Sequence, residues 1–267
     1  MEIIQASECF EPVDGGFKFI YTAVLFKCDD NIYRGCCPHR TKDTPYRAGQ
    51  FSLYDIVTTP EDAYCPLAPP NCTIVRTEIP DCYIKRPNLI AYSDSTNLHD
   101  YVLKDIEACE ILRRNPHPNI ARYHGCQVDE DQRVIGLFFK KYQKTLMERL
   151  NPGYLNKQDF LSTRPDLPKE ITDRYLKGIE SGIRHLHSLG LVHSDINPNN
   201  IMFEGSDVPV IIDFDSCRQS GLLLDSVKQT HEWHDKSIKI STTKNDFDSL
   251  HEIRIWMTGA STGSFKL

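Results

Sequence analysis

Residues 193–217 restrict this chain more than any other stretch. They read His193-Ser194-Asp195-Ile196-Asn197-Pro198-Asn199-Asn200, then Val208-Pro209-Val210-Ile211-Ile212, then Asp213-Phe214-Asp215-Ser216-Cys217. The order and spacing of Asp195, Asn200 and Asp213 suit phosphoryl transfer to a hydroxyl. One carboxylate can accept the proton of the attacking hydroxyl, while an amide oxygen and a second carboxylate can hold magnesium against nucleotide phosphates. Asp and Asn also cap turns in any fold. The pattern gains weight from its surroundings: a long helix expected over 170–189 precedes it, and a short buried strand expected over 208–212 delivers Asp213.

The rest of the chain reads as strands first, one helix among them, then mostly helices. Residues 17–27 are aromatic and β-branched, and 32–35 can return as a hairpin after Cys28-Asp29-Asp30-Asn31. Strands are expected over 51–58, 73–78 and 82–85, with polar or proline-rich connections at 38–50 and 59–72. Residues 97–114 carry Val102, Leu103, Ile106, Cys109, Ile111 and Leu112 near a helical period, and Pro116 and Pro118 end that helix. Residues 120–128 and 133–140 suit an antiparallel pair around Asp129-Glu130-Asp131. Helices are expected over 144–150, over 170–189 with Ile171, Tyr175, Ile179, Ile183 and Leu186 on one face and Gly190 at the end, and over 246–257. This is an α+β layout.

Composition excludes several classes. A net charge of -6 leaves no electrostatic footprint for nucleic acid. No run of about 18 apolar residues offers a membrane span, and the start lacks a basic segment followed by an apolar core. The ten cysteines are therefore read as reduced thiols, and the expected compartment is cytoplasmic or nuclear. Cys28, Cys36, Cys37 and His39 cluster, but without the paired C-x-x-C spacing of zinc modules.

The motif resembles the catalytic and metal loops of protein kinases, H-R-D-x-x-x-x-N followed by D-F-G. Cys82-Tyr83-Ile84-Lys85 resembles the V-A-I-K strand, and His117-Pro118-Asn119-Ile120 also has that family's look. The resemblance covers roughly residues 50–258 and implies a two-lobed fold. Residues 1–48 would be an N-terminal extension, a β-hairpin. A kinase-like domain would fill 49–267, with a small β-rich N-lobe to about 142 and a truncated, mainly helical C-lobe from about 143. It implies Asp195 as catalytic base with His193 buttressing the loop, and Asn200 and Asp213 as Mg2+ ligands. Lys85 would sit on the α/β phosphates of ATP, with an acidic partner that is either Asp105 or Glu107. Asp246 would anchor the catalytic loop from a later helix, and backbone groups of 139–142 would meet adenine.

The departures are specific. No glycine lies between Gly49 and Gly125, so the glycine-rich loop over the phosphates is missing. Ser194, Asn197 and Asp215 replace an arginine, a lysine and a glycine of the family pattern. Asn197 removes a positive charge from the transition state, and Asp215 is read as restricting its loop. No A-P-E follows, and Thr230–Trp233 is similar to a segment of short, divergent, fungal kinase-like proteins. Three readings compete: a divergent Ser/Thr protein kinase, a pseudokinase serving as a binding or scaffold module, and a small-molecule kinase. The first expects an unidentified protein substrate. A short C-lobe with exposed apolar surface would imply a dimer or a covering partner.

Overall fold

The computed structural model describes residues 1–13, 16–29, 31–40, 52–77, 79–91, 98–205, 207–224, 230, 233 and 237–259. The chain divides into two compact units, residues 1–67 with 86–102, and residues 68–85 with 103–267. The first unit is a four-stranded antiparallel sheet in sequence order: β1 (Glu2–Val13), β2 (Gly16–Cys28), β3 (Asn31–Cys37) and β4 (Tyr54–Thr58). The expected hairpin corresponds to β2 and β3, and the sheet adds a strand on either side. Val24, Phe26 and Cys37 form its small core, where Tyr33 stacks on Phe26 with ring centroids 5.4 Å apart. Arg34 donates from Nε to the Ile90 carbonyl at 3.1 Å, tying residues 86–91 to this unit.

The second unit begins with β5 (Cys82–Lys85) and the larger part of α1 (Leu98–Arg114), followed by β6 (Tyr123–Val128) and β7 (Val134–Lys140). β7 is the middle strand of a three-stranded antiparallel sheet, pairing Lys85 with Leu137 on one side and Tyr123 with Phe139 on the other. Ile106, Ala108, Cys109 and Leu112 of α1 are buried, as the helical period requires. The strand expected over 73–78 is reduced to one bridge between Ile74 and Cys126, and Glu78 lies outside the described residues. The neighbouring Thr73 accepts from Cys126 N at 2.7 Å but gives its own N–H to a side chain. Buried Glu110 of α1 accepts from Thr73 N at 2.7 Å and from its Oγ1 at 3.1 Å.

After β8 (Gln143–Thr145), Thr145 and Glu148 form a capping box that starts α2 (Leu146–Leu150). α3 (Lys157–Thr163) follows, a helix too short to leave a clear period in the sequence. α4 (Lys169–Ser188) buries Tyr175, Leu176, Ile179, Ile183 and Leu186, and Gly190 beyond its end adopts φ 77°. Then come β9 (Leu191–Val192), a short helical turn over Pro198–Asn200, β10 (Ile201–Glu204), β11 (Val208–Ile211), β12 (Arg218–Gln219) and α5 (Thr243–Thr258). None of the ten cysteines forms a disulfide, and no helix among the described residues is long and apolar enough to cross a membrane.

Two glycines let α4 approach β11 closely. A Cβ on Gly178 would stand 2.5 Å from Pro209 Cγ, and one on Gly182 would stand 2.8 Å from the Asn119 carbonyl oxygen. Asn119 is fixed there, because Ile211 N donates to its carbonyl and its Nδ2 donates to the Pro209 carbonyl. Gly182→Ala gains about 1 kcal/mol of helix propensity but forces overpacking that costs about 1–3 kcal/mol. The expected outcome is a lower urea midpoint with an unchanged slope. An unchanged midpoint would mean that β11 yields freely.

Candidate active site

One buried carboxylate shapes the loop after β9. Asp246, in the first turn of α5, accepts from His193 N and Ser194 N, both at 2.9 Å, and from the His187 ring at 2.8 Å. These bonds hold Ser194 at φ 66°, a left-handed conformation that side chains other than glycine rarely take. The His193 ring completes the brace. Its Nε2 faces the Ile212 carbonyl at 3.0 Å and so carries the proton, while Nδ1 accepts from Asp195 N at 3.3 Å. Phe214, fully buried, lies edge-on to that ring.

Asp195 emerges from this brace with its carboxylate already engaged. Thr230 donates to it twice, from N at 2.9 Å and from Oγ1 at 3.0 Å, and Asn200 Nδ2 donates to Oδ2 at 3.1 Å. Burial raises the Asp195 pKa above the ordinary carboxylate value, and Thr230 and His193 work in the opposite direction. Asn197 is a hub: its Oδ1 accepts from Asn199 N, and its Nδ2 donates to the Asp195 carbonyl and to Thr230 Oγ1, each at 3.0 Å. Thr230 is positioned in turn by Trp233, whose N donates to the Thr230 carbonyl at 3.2 Å. The Trp233 indole packs edge-on to Trp256 and under the Lys157 ammonium, 4.1 Å from the ring centroid.

β5 and α1 bring a cation to the same loop. Lys85 Nζ lies 2.6 Å from Asp105 Oδ2, 2.5 Å from Asp213 Oδ1 and 3.6 Å from Asp215 Oδ2. Burial disfavours the ammonium, but the three carboxylates outweigh it and hold the Lys85 pKa well above the ordinary lysine value. Burial also raises the Asp105 pKa, against the pull of Lys85. The choice between Asp105 and Glu107 is thus decided by helix phase. Glu107 lies about 200° further round α1 and points to solvent, so its expected place beside Lys85 is corrected to Asp105 alone. Asp213 has φ 65° and follows directly on Ile212, whose N donates to the Asn200 carbonyl at 3.0 Å. That pair of bonds from Ile212 joins the Asp213 side of the site to the Asp195 side.

Beside Lys85 and Asp213 opens a cavity of about 330 Å³, walled by Tyr83, Ala121, Phe139, Met202 and Ile212 and flanked by Lys140–Tyr142. Its apolar walls run from the charged Lys85–Asp213 end to a rim that carries Lys140 and Lys141, and apolar walls with a few polar groups suit a small flat ligand. Three carboxylates facing one ammonium leave an excess of negative charge that a divalent cation would offset. The donors are all oxygens, and Asn200, whose Nδ2 is committed to Asp195, retains its amide oxygen as an acceptor. Among the described residues no three carboxylate, His or Cys groups converge to hold a metal, so Mg2+ here would rest on the oxygens of Asn200 and Asp213 and on those of the phosphates it accompanies. Spacing pointed to Asp195, Asn200 and Asp213, and the resemblance of Cys82–Lys85 to a family strand pointed to Lys85. It gave no sign of Thr230 as a donor to Asp195, and it read Asp215 as a loop restraint rather than as a neighbour of Lys85.

Residues 88–236, more than half of the chain, match the family profile described as protein kinase domain. Lys85 lies just before the matched span. The chain is 28% identical over 112 residues to the MAP kinase kinase kinase win1 of Schizosaccharomyces pombe, which covers 42% of this chain and 7% of that protein. It is 30% identical over 108 residues to the death-associated protein kinase 2 of Mus musculus, covering 39% of this chain and 26% of that one. The alignments thus take in only a small part of these relatives' own lengths.

Asp246→Asn keeps the shape of the anchor but turns one acceptor into a donor facing a backbone N–H. Hydrogen bonds to a charged group contribute about 1.5–3 kcal/mol each, so the variant should melt at a clearly lower temperature. Amide hydrogen exchange at His193 and Ser194 should accelerate. Unchanged protection at both amides would show that the loop holds its form without Asp246.

Proposed function

The chain belongs to the protein kinase family, and on that footing we propose that it transfers the γ-phosphoryl group of ATP to a Ser or Thr hydroxyl of a protein. What carries this reading is the joining of Lys85–Asp105–Asp213 to Asp195–Asn200 through the backbone of Ile212. Asp195 is the acceptor of the hydroxyl proton: its loop, pinned at both ends, holds the base in place, and a substrate hydroxyl would take over the bonds that Thr230 now makes to it. Lys85, released in part from Asp213, orients the α/β phosphates. Asn200 and Asp213 are the side chains that would hold Mg2+. When bound, Mg2+ offsets the charge on the transferring phosphates. Phe139–Tyr142 border the apolar cavity where adenine would sit.

A second reading, a pseudokinase serving as a binding or scaffold module, is favoured by two observations. No glycine lies between Gly49 and Gly125, and Asn197 supplies an amide where the family has a cation. Calorimetry separates the two readings at the first step. Mg-ATP should bind the wild type only with magnesium present, and Asp213→Asn should lose most of that affinity. Absence of binding at millimolar Mg-ATP would transfer the weight to the scaffold reading. Asp195→Ala should abolish turnover, by at least about 100-fold, while leaving nucleotide affinity nearly intact. Retained turnover in that variant would overturn the assignment of the base.

The pH profile gives an independent check. A base must be ionised, so kcat/KM should climb with pH through the raised pKa of Asp195. Thr230→Ala removes a hydrogen bond that favours the carboxylate. Its acid limb should therefore move to higher pH, since the charged form loses support. A limb that stays in place would remove Asp195 from this role.

A further inference from the structure

Two cavities of about 630 and 490 Å³ open side by side along β6, the end of β7 and the segment that follows, and they share Arg122, His124, Lys140 and Tyr142. Arg113 lines the first and Lys141 the second. On a chain of net charge -6, this is a concentration of positive side chains. Lys140 N donates to the Arg122 carbonyl at 2.9 Å, so two cations sit opposite each other on adjoining backbone, an arrangement that costs stability. Burial lowers the His124 pKa, and Arg122 and Lys140 lower it further. Glu204 answers Lys140 and Glu110 answers Arg113; the other carboxylate on the walls is Asp81, so the excess of positive charge rests on Arg122 and Lys141. Arg122 is exposed, and its backbone N donates to Tyr142 Oη at 2.9 Å, which fixes the residue at the groove.

We propose that this groove docks an acidic peptide segment of a protein partner, with Arg122 taking its carboxylate or phosphoryl groups. The guanidinium offers a planar fork of donors that fits either group. Two cavities in series suit an extended chain better than a single small anion. Nucleic acid fits less well. Tyr123 is buried, and the other rings on the walls, Tyr142, His117 and His124, are half-buried, with His117 already stacked on His185, so successive bases find no exposed stacking platform. Arg122 and His124 have no part in the phosphoryl-transfer site.

The test is fluorescence anisotropy of a labelled Glu/Ser peptide, and of the same peptide with phosphoserine, against the whole chain without nucleotide. Because no turnover is read, the result stands apart from the phosphoryl-transfer reading. Saturable binding that weakens with salt is expected. It should fall by about tenfold in Arg122→Gln and further in Arg122→Glu, both with unchanged melting curves. Binding of both peptides supports recognition by net negative charge, and binding of the phosphorylated one alone supports recognition of phosphoryl groups. The proposal is overturned if neither peptide binds at millimolar concentration, or if both variants bind like the wild type. It is equally overturned if a single-stranded RNA oligomer displaces the peptides at lower concentration than they bind.

Discussion

The carboxylate of Asp246 is the fixed point on which the site depends. It satisfies two consecutive backbone N–H groups and a histidine ring inside the protein, where unpaired polar groups are expensive. Because those N–H groups belong to His193 and Ser194, the strained turn at Ser194 is held from α5 and not by its own sequence. His193 then faces the Ile212 carbonyl, and Asp195 leaves the turn toward Thr230. Asp246, His193 and Ile212 thus connect α5, the loop after β9 and the end of β11 through a few directional bonds. The apolar face of α4, with Tyr175, Leu176, Ile179, Ile183 and Leu186, is buried in the same unit.

The legible part of the site was the part written in short spacings. Asp195, Asn200 and Asp213 lie within one stretch, and their relation survives folding because a helical turn and a strand pair fix it. Thr230 was not legible as a partner, since it lies 35 positions from Asp195 and no spacing rule joins the two. Asp105 and Glu107 shared a helix turn on paper, and only the rotation of α1 against β5 separates them. The helices and strands with strong period, α1, α4 and β7, were readable. α3 and β1 were not: the first is too short, and the second alternates weakly in Glu2-Ile3-Ile4-Gln5-Ala6. The strand expected at 73–78 is cut to a single bridge at Ile74, and beside it the Thr73 N–H goes to the Glu110 carboxylate, a side-chain contact that no strand propensity anticipates.

Asn197 shows how a departure from a family pattern can be absorbed. In place of a mobile cation stands an amide that both donates and accepts. It closes the turn at Asn199 and reaches Thr230, so the loop is more tightly cross-linked than a lysine would leave it. Rigidity at Asp195 is gained where charge is given up.

The sharing of Lys85 among three carboxylates has a consequence for what may enter. A bare polyphosphate approaching it meets Asp105, Asp213 and Asp215 as well, and the balance of charge repels it. On the proposed reading, a polyphosphate that arrives with its own divalent cation would change that balance. Lys85 and its neighbours would then favour the metal-bound form of such a visitor over the free anion.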